Sequence, residues 1–252
     1  MDIELFDGER LDEVNEDITL IQKKDGLTFG TDAYLLAAFM KGGAKQRAVE
    51  LGTGTGIISL LCAARNRFAH IDAFEVQEDF ATLAQRNVTL NHLEDKMTVH
   101  QDDVRNLSAN KLGLEIDVVF TNPPYMRTDS GKRNLSDYKY IARHEVCGGI
   151  FDFCAAADRL LKHGGKFYCV FRPDRLSELM CAMHENHLEP KRMTFVHADK
   201  CSEPSMVLIE AIKRGAAGMR VSAPIFLFED GKREPSEQAK KIYDGMEIEW
   251  NI

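Results

Sequence analysis

From Arg47 onward, short apolar runs alternate with stretches whose apolar residues recur at helical spacing. The runs Ala48–Leu51, Ile71–Glu75, Met97–His100, Ile116–Phe120 and Lys166–Phe171 predict strands. Between them, the pattern predicts helices near Ile57–Arg65, Glu78–Asn91, Ile150–Lys162 and Asp174–Glu185. Such alternation implies an α/β fold, a mostly parallel sheet with helices on both faces. Two later strands, Arg192–His197 and Met206–Ala211, are separated by a polar loop with no helix. They are expected to pair antiparallel at the edge of the sheet. The tail carries one more strand, Pro224–Phe228, a turn at Asp230-Gly231, and a short amphipathic helix over Ser236–Tyr243. Residues 1–45 form a hairpin-and-helix lead-in. It has turns at Asp7-Gly8 and Asp25-Gly26, a strand over Ile18–Gln22, and a helix capped near Thr31-Asp32 with Ala33, Leu36, Ala37 and Met40 on one face. The lead-in is expected to pack on a main domain over residues 46–252.

Composition changes this picture only by exclusion. The chain has 252 residues, 44% of them apolar and 29% charged, enough for a sizeable core. Its acidic start, Met1-Asp2-Ile3-Glu4, has neither the basic nor the apolar region of a secretory signal. No apolar run approaches the roughly 20 residues of a membrane span. The scattered cysteines Cys62, Cys147, Cys154, Cys169, Cys181 and Cys201 form no Cys-x-x-Cys pair, which argues for reduced thiols in a cytoplasm and against a structural zinc site. The net charge of −8 repels nucleic acid, so RNA binding would need a local basic patch. Arg127, Lys132, Arg133, Lys139 and Arg143, interleaved with Tyr138 and Tyr140, form one candidate. Lys191-Arg192 and Lys213-Arg214 form others.

Candidate chemistry lies where predicted strands end. Glu50-Leu51-Gly52-Thr53-Gly54-Thr55-Gly56 joins the first parallel strand to its helix, and glycines there let a ligand approach the backbone. A dinucleotide fingerprint requires its third glycine one position later than Gly56, which disfavours a nicotinamide cofactor. Glu75 ends the second strand, where a carboxylate can accept both ribose hydroxyls of a nucleoside; the bland alternative is one surface acid among 40. Asp102-Asp103 follows the third strand and could meet an adenine amino group. After the fourth strand comes Asn122-Pro123-Pro124-Tyr125. As a turn this needs no function, since Asn-Pro and Pro-Pro punctuate loops. As a site, the Asn122 side-chain oxygen and the Pro123 carbonyl accept both hydrogens of a planar NH2 group while Tyr125 stacks on the ring that carries it. Two such acceptors restore the nitrogen lone pair as charge develops.

This ordered set resembles the class I S-adenosylmethionine methyltransferases, and Asn-Pro-Pro-Tyr places it with those acting on exocyclic amines or amides. Phe29-Gly30-Thr31-Asp32-Ala33-Tyr34-Leu35-Leu36-Ala37 is similar to the lead-in signature of the tRNA1(Val) adenine-N6 methyltransferase family. Arg143-His144-Glu145 resembles that family's signature beyond the catalytic turn, and Ser205–Lys213 and the tail also fit. The resemblance implies a Rossmann-like sheet binding S-adenosyl-L-methionine without metal. Thr31 and Asp32 would help wall the cofactor site. Glu50 would act on the methionine ammonium, directly or through water. Gly52, Thr53, Gly54 and Gly56 would cradle the cofactor, with Glu75 on its ribose, Asp103 on its adenine, and Asn122 bordering it. Asn122, Pro123, Pro124 and Tyr125 would hold the substrate base, and Arg143 would meet RNA phosphate.

The implied reaction is in-line methyl transfer to N6 of an unstacked tRNA adenine, the one next to the anticodon of tRNA1(Val). The nearest rival is a protein glutamine N5-methyltransferase, which offers the same NH2 group but usually carries a longer helical amino-terminal domain. A DNA adenine methyltransferase lacks room for a separate target-recognition domain. From another class, a non-catalytic RNA-binding module could retain the cofactor pocket.

Overall fold

The computed structural model describes residues 4–24, 29–113, 115–124, 148–229, 231–232 and 234–248. Its frame is a nine-stranded sheet. The parallel part comprises β3 (Gly43–Leu51), β4 (Phe68–Glu75), β5 (Met97–Gln101), β6 (Ile116–Thr121) and β7 (Leu161–Phe171), in the order β5-β4-β3-β6-β7. Beyond β7 lies β9 (Pro204–Lys213), antiparallel both to β7 and to β8 (Leu188–His197). The expected antiparallel pair therefore forms, but β8 is not bare. Short β10 (Arg220–Val221) and β11 (Ile225–Phe226) both run parallel to it. The tail strand is thus shorter than its apolar run, because only Ile225 and Phe226 keep register with Val196 and His197.

Strand residues alternate between two cores. Ala48, Val118, Phe120, Tyr168, Val170 and Leu208 face one side, with the helices α1 (Thr31–Phe39) and α2 (Ile57–Ala64). Val49, Leu51, Val119, Phe167, Cys169 and Ile209 face the other, with α5 (Ile150–Leu160) and α6 (Leu176–Glu185). Burial on both faces explains why these strands read as continuous apolar runs. Among the described residues the other α-helices are α3 (Glu78–Leu90), the single turn α4 (Ala109–Leu112) and α7 (Glu237–Tyr243), the last capped by Ser236 Oγ, which accepts from Ala239 N.

Two details of the lead-in, the first strand of its hairpin and the cap of its helix, go beyond the sequence pattern. Ile21 and its neighbours pair with a second strand, so that β1 (Glu9–Glu13) and β2 (Thr19–Lys23) form a hairpin. Only Leu11 is apolar in β1, too little for a periodic signal. The helix α1 is capped by Gly30 rather than by Thr31 or Asp32, which lie in its first turn. Leu35, Leu36, Ala37, Ala38 and Phe39 are all buried, so α1 is a core helix buried nearly all round rather than one with a single apolar face.

The free edge of β2 is satisfied by side chains of α3. Asn87 Oδ1 accepts from Ile21 N at 2.7 Å, and Nδ2 donates to Ile21 O at 3.2 Å. One helical turn on, Asn91 repeats the pattern with Thr19 N and O at 2.9 and 2.8 Å. Two amides four residues apart thus take the place of a neighbouring strand.

Candidate active site

Register decides where the chemistry can sit. β3 lies between β4 and β6, so chain connections diverge on its two sides, the point at which open α/β sheets bind ligands. Leu51 pairs with Thr121 across β3 and β6, and Thr121 Oγ1 donates to Leu51 O at 2.8 Å. Gly52 and Asn122 therefore leave adjacent strands side by side. Consecutive prolines fix the backbone after Asn122 and hold it extended. Pro123 is buried, while Asn122 and Pro124 are half-buried.

The glycine turn is tied down at each step. Gly52 N and Thr53 N donate to Phe74 O at 2.9 and 3.0 Å, and Gly54 N donates to Glu75 Oε2 at 3.0 Å. Gly52 takes φ +71° and lies so close to Phe153 that an added Cβ would stand 3.3 Å from the ring. Gly54 takes φ +57°, and a Cβ there would project into open space. A side chain at Gly54 would be strained and would fill the volume above the turn.

Beneath the turn lies Glu50, 1% exposed. Its Oε2 accepts from Thr53 Oγ1 at 2.6 Å and from Ser59 Oγ. Burial pushes the Glu50 carboxyl up to about 7, against the opposing hydrogen bonds from Ser59 and Thr53. Both hydroxyls bond to the same Glu50 oxygen, which ties that side of the carboxyl to the turn and to the start of the following helix. The Thr53 side chain likewise points down to Glu50 and is 4% exposed. Both residues shape the turn from below.

Glu75 lies at the end of β4 and is buried. Its two oxygens accept from Gly54 N and from Gln77 N at 3.0 and 2.9 Å. Each sp² oxygen keeps a second lone pair, enough for two vicinal hydroxyls. Asp103, after β5, caps a 3₁₀ turn over Val104–Asn106. Its carboxylate is gripped by Arg105, with the guanidinium Nε at 2.9 Å from Oδ1, and that pairing holds its carboxyl below the usual range. Asp102 is paired with Lys111. An open space over Gly54, a buried acid for hydroxyls and an acid after the next strand together suit a nucleoside cofactor.

The lead-in reaches this site through α1. Asn122 Nδ2 donates to Asp32 Oδ2 at 2.8 Å, and Ala33 N donates to Asp32 Oδ1 at 3.0 Å. Thr31 Oγ1 lies 3.4 Å from the Tyr243 hydroxyl of α7, whose ring meets Tyr34 edge-on at 5.3 Å between centroids. The structure thus gathers Thr31, Asp32, the glycine turn, Glu75 and Asn122-Pro123-Pro124 at one end of the sheet. Tyr125, Arg127, Lys132, Arg133, Lys139, Arg143 and the stretch Arg143-His144-Glu145 lie outside the described residues. Sequence reasoning passed over Ser59, Asn87 and Phe153. Asn87 also donates from Nδ2 to Thr55 O in the turn at 3.0 Å.

Two of the basic candidates are withdrawn. Arg192 Nη2 donates to Phe39 O and Glu210 Oε2 at 2.7 and 2.8 Å, and its guanidinium lies 4.2 Å from the Phe39 ring centre. Lys213 Nζ donates to Leu161 O at 2.9 Å and pairs with Asp158. Both cations hold the fold together from inside. Their sequence neighbours are left without the clustered charge that made either pair a candidate.

Known proteins agree with this architecture. Residues 23–188 match the methyltransferase small domain family. A tRNA1(Val) (adenine(37)-N6)-methyltransferase of Phocaeicola vulgatus is 31% identical over 191 residues, covering 76% of this chain and 79% of that protein. One of the same name from Dyadobacter fermentans is 30% identical over 182 residues, covering 72% and 74%. Among solved structures, a predicted O-methyltransferase from Agrobacterium tumefaciens superposes with a TM-score of 0.69 at 23% identity, over 85% of this chain and 96% of that one. TYW2 of P. horikoshii, solved in complex with MeSAdo, gives 0.58 at 14% identity, over 83% and 73%. These two likenesses speak for the fold alone. With the glycine turn beside Asn-Pro-Pro at the switch point of a sheet of that fold, and relatives aligned over most of its length, the chain belongs to the methyltransferase small domain family and, within it, to the tRNA1(Val) (adenine(37)-N6)-methyltransferases.

Proposed function

We propose that this protein transfers a methyl group from S-adenosylmethionine to N6 of a tRNA adenine, position 37 in the tRNA1(Val) named for its relatives. The observation that carries the reading is the Leu51–Thr121 register, which sets the glycine turn and Asn122 next to each other. When bound, the cofactor would supply an electrophilic methyl group, the N–C bond to N6 forming as the sulfonium S–CH3 bond breaks, with S-adenosylhomocysteine as the leaving group and one N6 proton passing to water.

The chain's own part is to hold and orient. Gly54 leaves room for the cofactor over the turn, Gly52 and Gly56 let the turn pack closely on Phe153 and on Met97 and Ala84, and Glu75 takes the cofactor's ribose hydroxyls through the lone pairs not used by Gly54 and Gln77. Asp103 meets the adenine of the cofactor beside its Arg105 partner. Glu50 and Thr53 support the turn, and Thr31 and Asp32 close the site from the lead-in. Asn122 Oδ1 and the Pro123 carbonyl accept the two hydrogens of the substrate amino group, Pro124 stiffens the turn, and Tyr125 stacks on the base. Both acceptors gain strength as N6 becomes tetrahedral and positive, which lowers the barrier rather than merely tightening binding. The target adenine must leave its stack, which is cheapest in a loop. The basic run Arg127, Lys132, Arg133, Lys139 and Arg143 follows the motif directly and takes the RNA phosphates. Such a substrate, and buried unpaired thiols such as Cys62, Cys154 and Cys169, suit the cytoplasm.

Incubation with methyl-labelled S-adenosylmethionine and separate pools of tRNA, DNA and protein tests the proposal. Label is expected in tRNA as N6-methyladenine; label on protein glutamine would replace this reading with the rival one. Asn122→Ala is expected to bind the cofactor nearly as well as the parent and to lose roughly 100-fold or more in turnover, the scale of a lost transition-state partner.

A further inference from the structure

A terminal amide has two ends of almost equal shape, and its last torsion has no strong preference between them. Which end Asn122 offers to a substrate is therefore decided by its neighbours. One such neighbour is Asp32, 90 residues earlier in the chain, whose Oδ2 accepts from Asn122 Nδ2 at 2.8 Å. An ionised carboxylate has no proton to give. Turning the amide over would set oxygen against oxygen and lose a charge-assisted hydrogen bond.

We propose that Asp32 is a positioning residue for methyl transfer, fixing the Asn122 amide so that Oδ1 is turned towards the substrate amino group. The inference rests on the role given to Asn122 above and adds what makes that role dependable. With the amide reversed, an NH2 group would meet the NH2 group of the substrate, donor against donor. Asp32 is itself held. Its Oδ1 accepts from Ala33 N in the first turn of α1, where the positive end of the helix favours a carboxylate. The helix is anchored by the buried Leu35, Leu36 and Phe39, and the same turn is braced by Tyr243 on Thr31. The lead-in thus sets the direction of a side chain that belongs to the sheet.

Asp32→Asn tests this, because an amide at position 32 keeps the shape but can donate to Asn122 Oδ1 as readily as it accepts from Nδ2. We expect kcat to fall by about 10- to 100-fold, the range for a misdirected catalytic group. The KM for tRNA and the dissociation constant for S-adenosylhomocysteine should stay within about 3-fold, since the amide keeps the shape with which position 32 closes the site. The decisive measurement is the double variant, followed by single-turnover transfer of labelled methyl. In an Asn122→Ala background, Asp32→Asn should cost nothing further, since there is no amide left to orient. Asp32→Ser, which keeps a polar group suited to the start of a helix, should show the same pattern if the first variant folds poorly. Full activity of Asp32→Asn, an equal loss in both backgrounds, or a weakened cofactor affinity with kcat intact would each overturn the proposal. If Asn122→Ala alone were fully active, the role of Asn122 would fall first, so the two failures are told apart.

Discussion

A carboxyl group 1% exposed and placed under a ligand-binding turn has a consequence for stability. Burial raises Glu50 from its usual 4.5 to about 7. Between those pH values the native protein holds a proton that the unfolded chain has released, so stability falls as pH rises through that window. The loss is on the order of 3 kcal/mol, complete just above pH 7 and absent below about pH 4.5. Glu50→Gln keeps an acceptor for Thr53 and Ser59 and stays neutral throughout. Urea midpoints of both proteins between pH 5 and 8 should therefore diverge, the parent losing ground to the variant as the solution becomes more basic. A difference that stays flat across the range would mean Glu50 is ionised at no unusual cost. Such a group could be picked out in the sequence as an acid before the glycines, but not as a buried one. One of its two hydroxyl partners is Ser59 on α2, and nothing in the strand pattern announces that partner.

At the scale of elements, the central parallel strands were legible because their carboxyl-terminal halves are buried on both faces and so appear as nearly continuous apolar runs, whereas edge strand β5 buries only Met97. β1 was not, because Arg10, Asp12 and Glu13 surround its one apolar residue. The bond from Asn122 to Asp32 was equally hidden, since both side chains are polar and come from distant segments. The same holds for the grip of α3 on β2, where Asn87 and Asn91 look like ordinary helix-surface amides. Asn87 is in fact fully buried and serves three backbone groups, at Ile21 and Thr55. Removing it strands those groups without a partner, at about 1–3 kcal/mol for each that water cannot reach. Asn87→Ala should therefore lower unfolding stability by about 2–4 kcal/mol, and it should weaken cofactor binding as the glycine turn loosens at Thr55. Asn91→Ala, whose contacts are only part-buried, should cost less than half as much. Equal and small losses in the two variants, read from urea unfolding, would show that β2 needs no such support.

For the whole molecule the difficulty is charge. A net −8 opposes RNA at long range, yet the proposed substrate is a polyanion. Within the described residues, Arg192 and Lys213 belong to internal pairs, and Arg105 and Lys111 face Asp103 and Asp102. Residues 125–147 carry five basic side chains against three acidic ones, and they directly follow the motif that would hold the base. Binding concentrated in so short a segment predicts a shallow but real salt dependence, since each phosphate neutralised on a single strand contributes a slope of about 0.7 in log–log form. Replacing both Lys132 and Arg133 by Glu should raise the KM for tRNA and flatten that slope by about 1–2, while leaving kcat at saturating RNA and the affinity for S-adenosylhomocysteine close to those of the parent. Titration of tRNA binding across a series of KCl concentrations measures the slope directly. If it were unchanged in the double variant, the phosphates would have to be met elsewhere on the surface, and the segment after Pro124 would be left with the base alone.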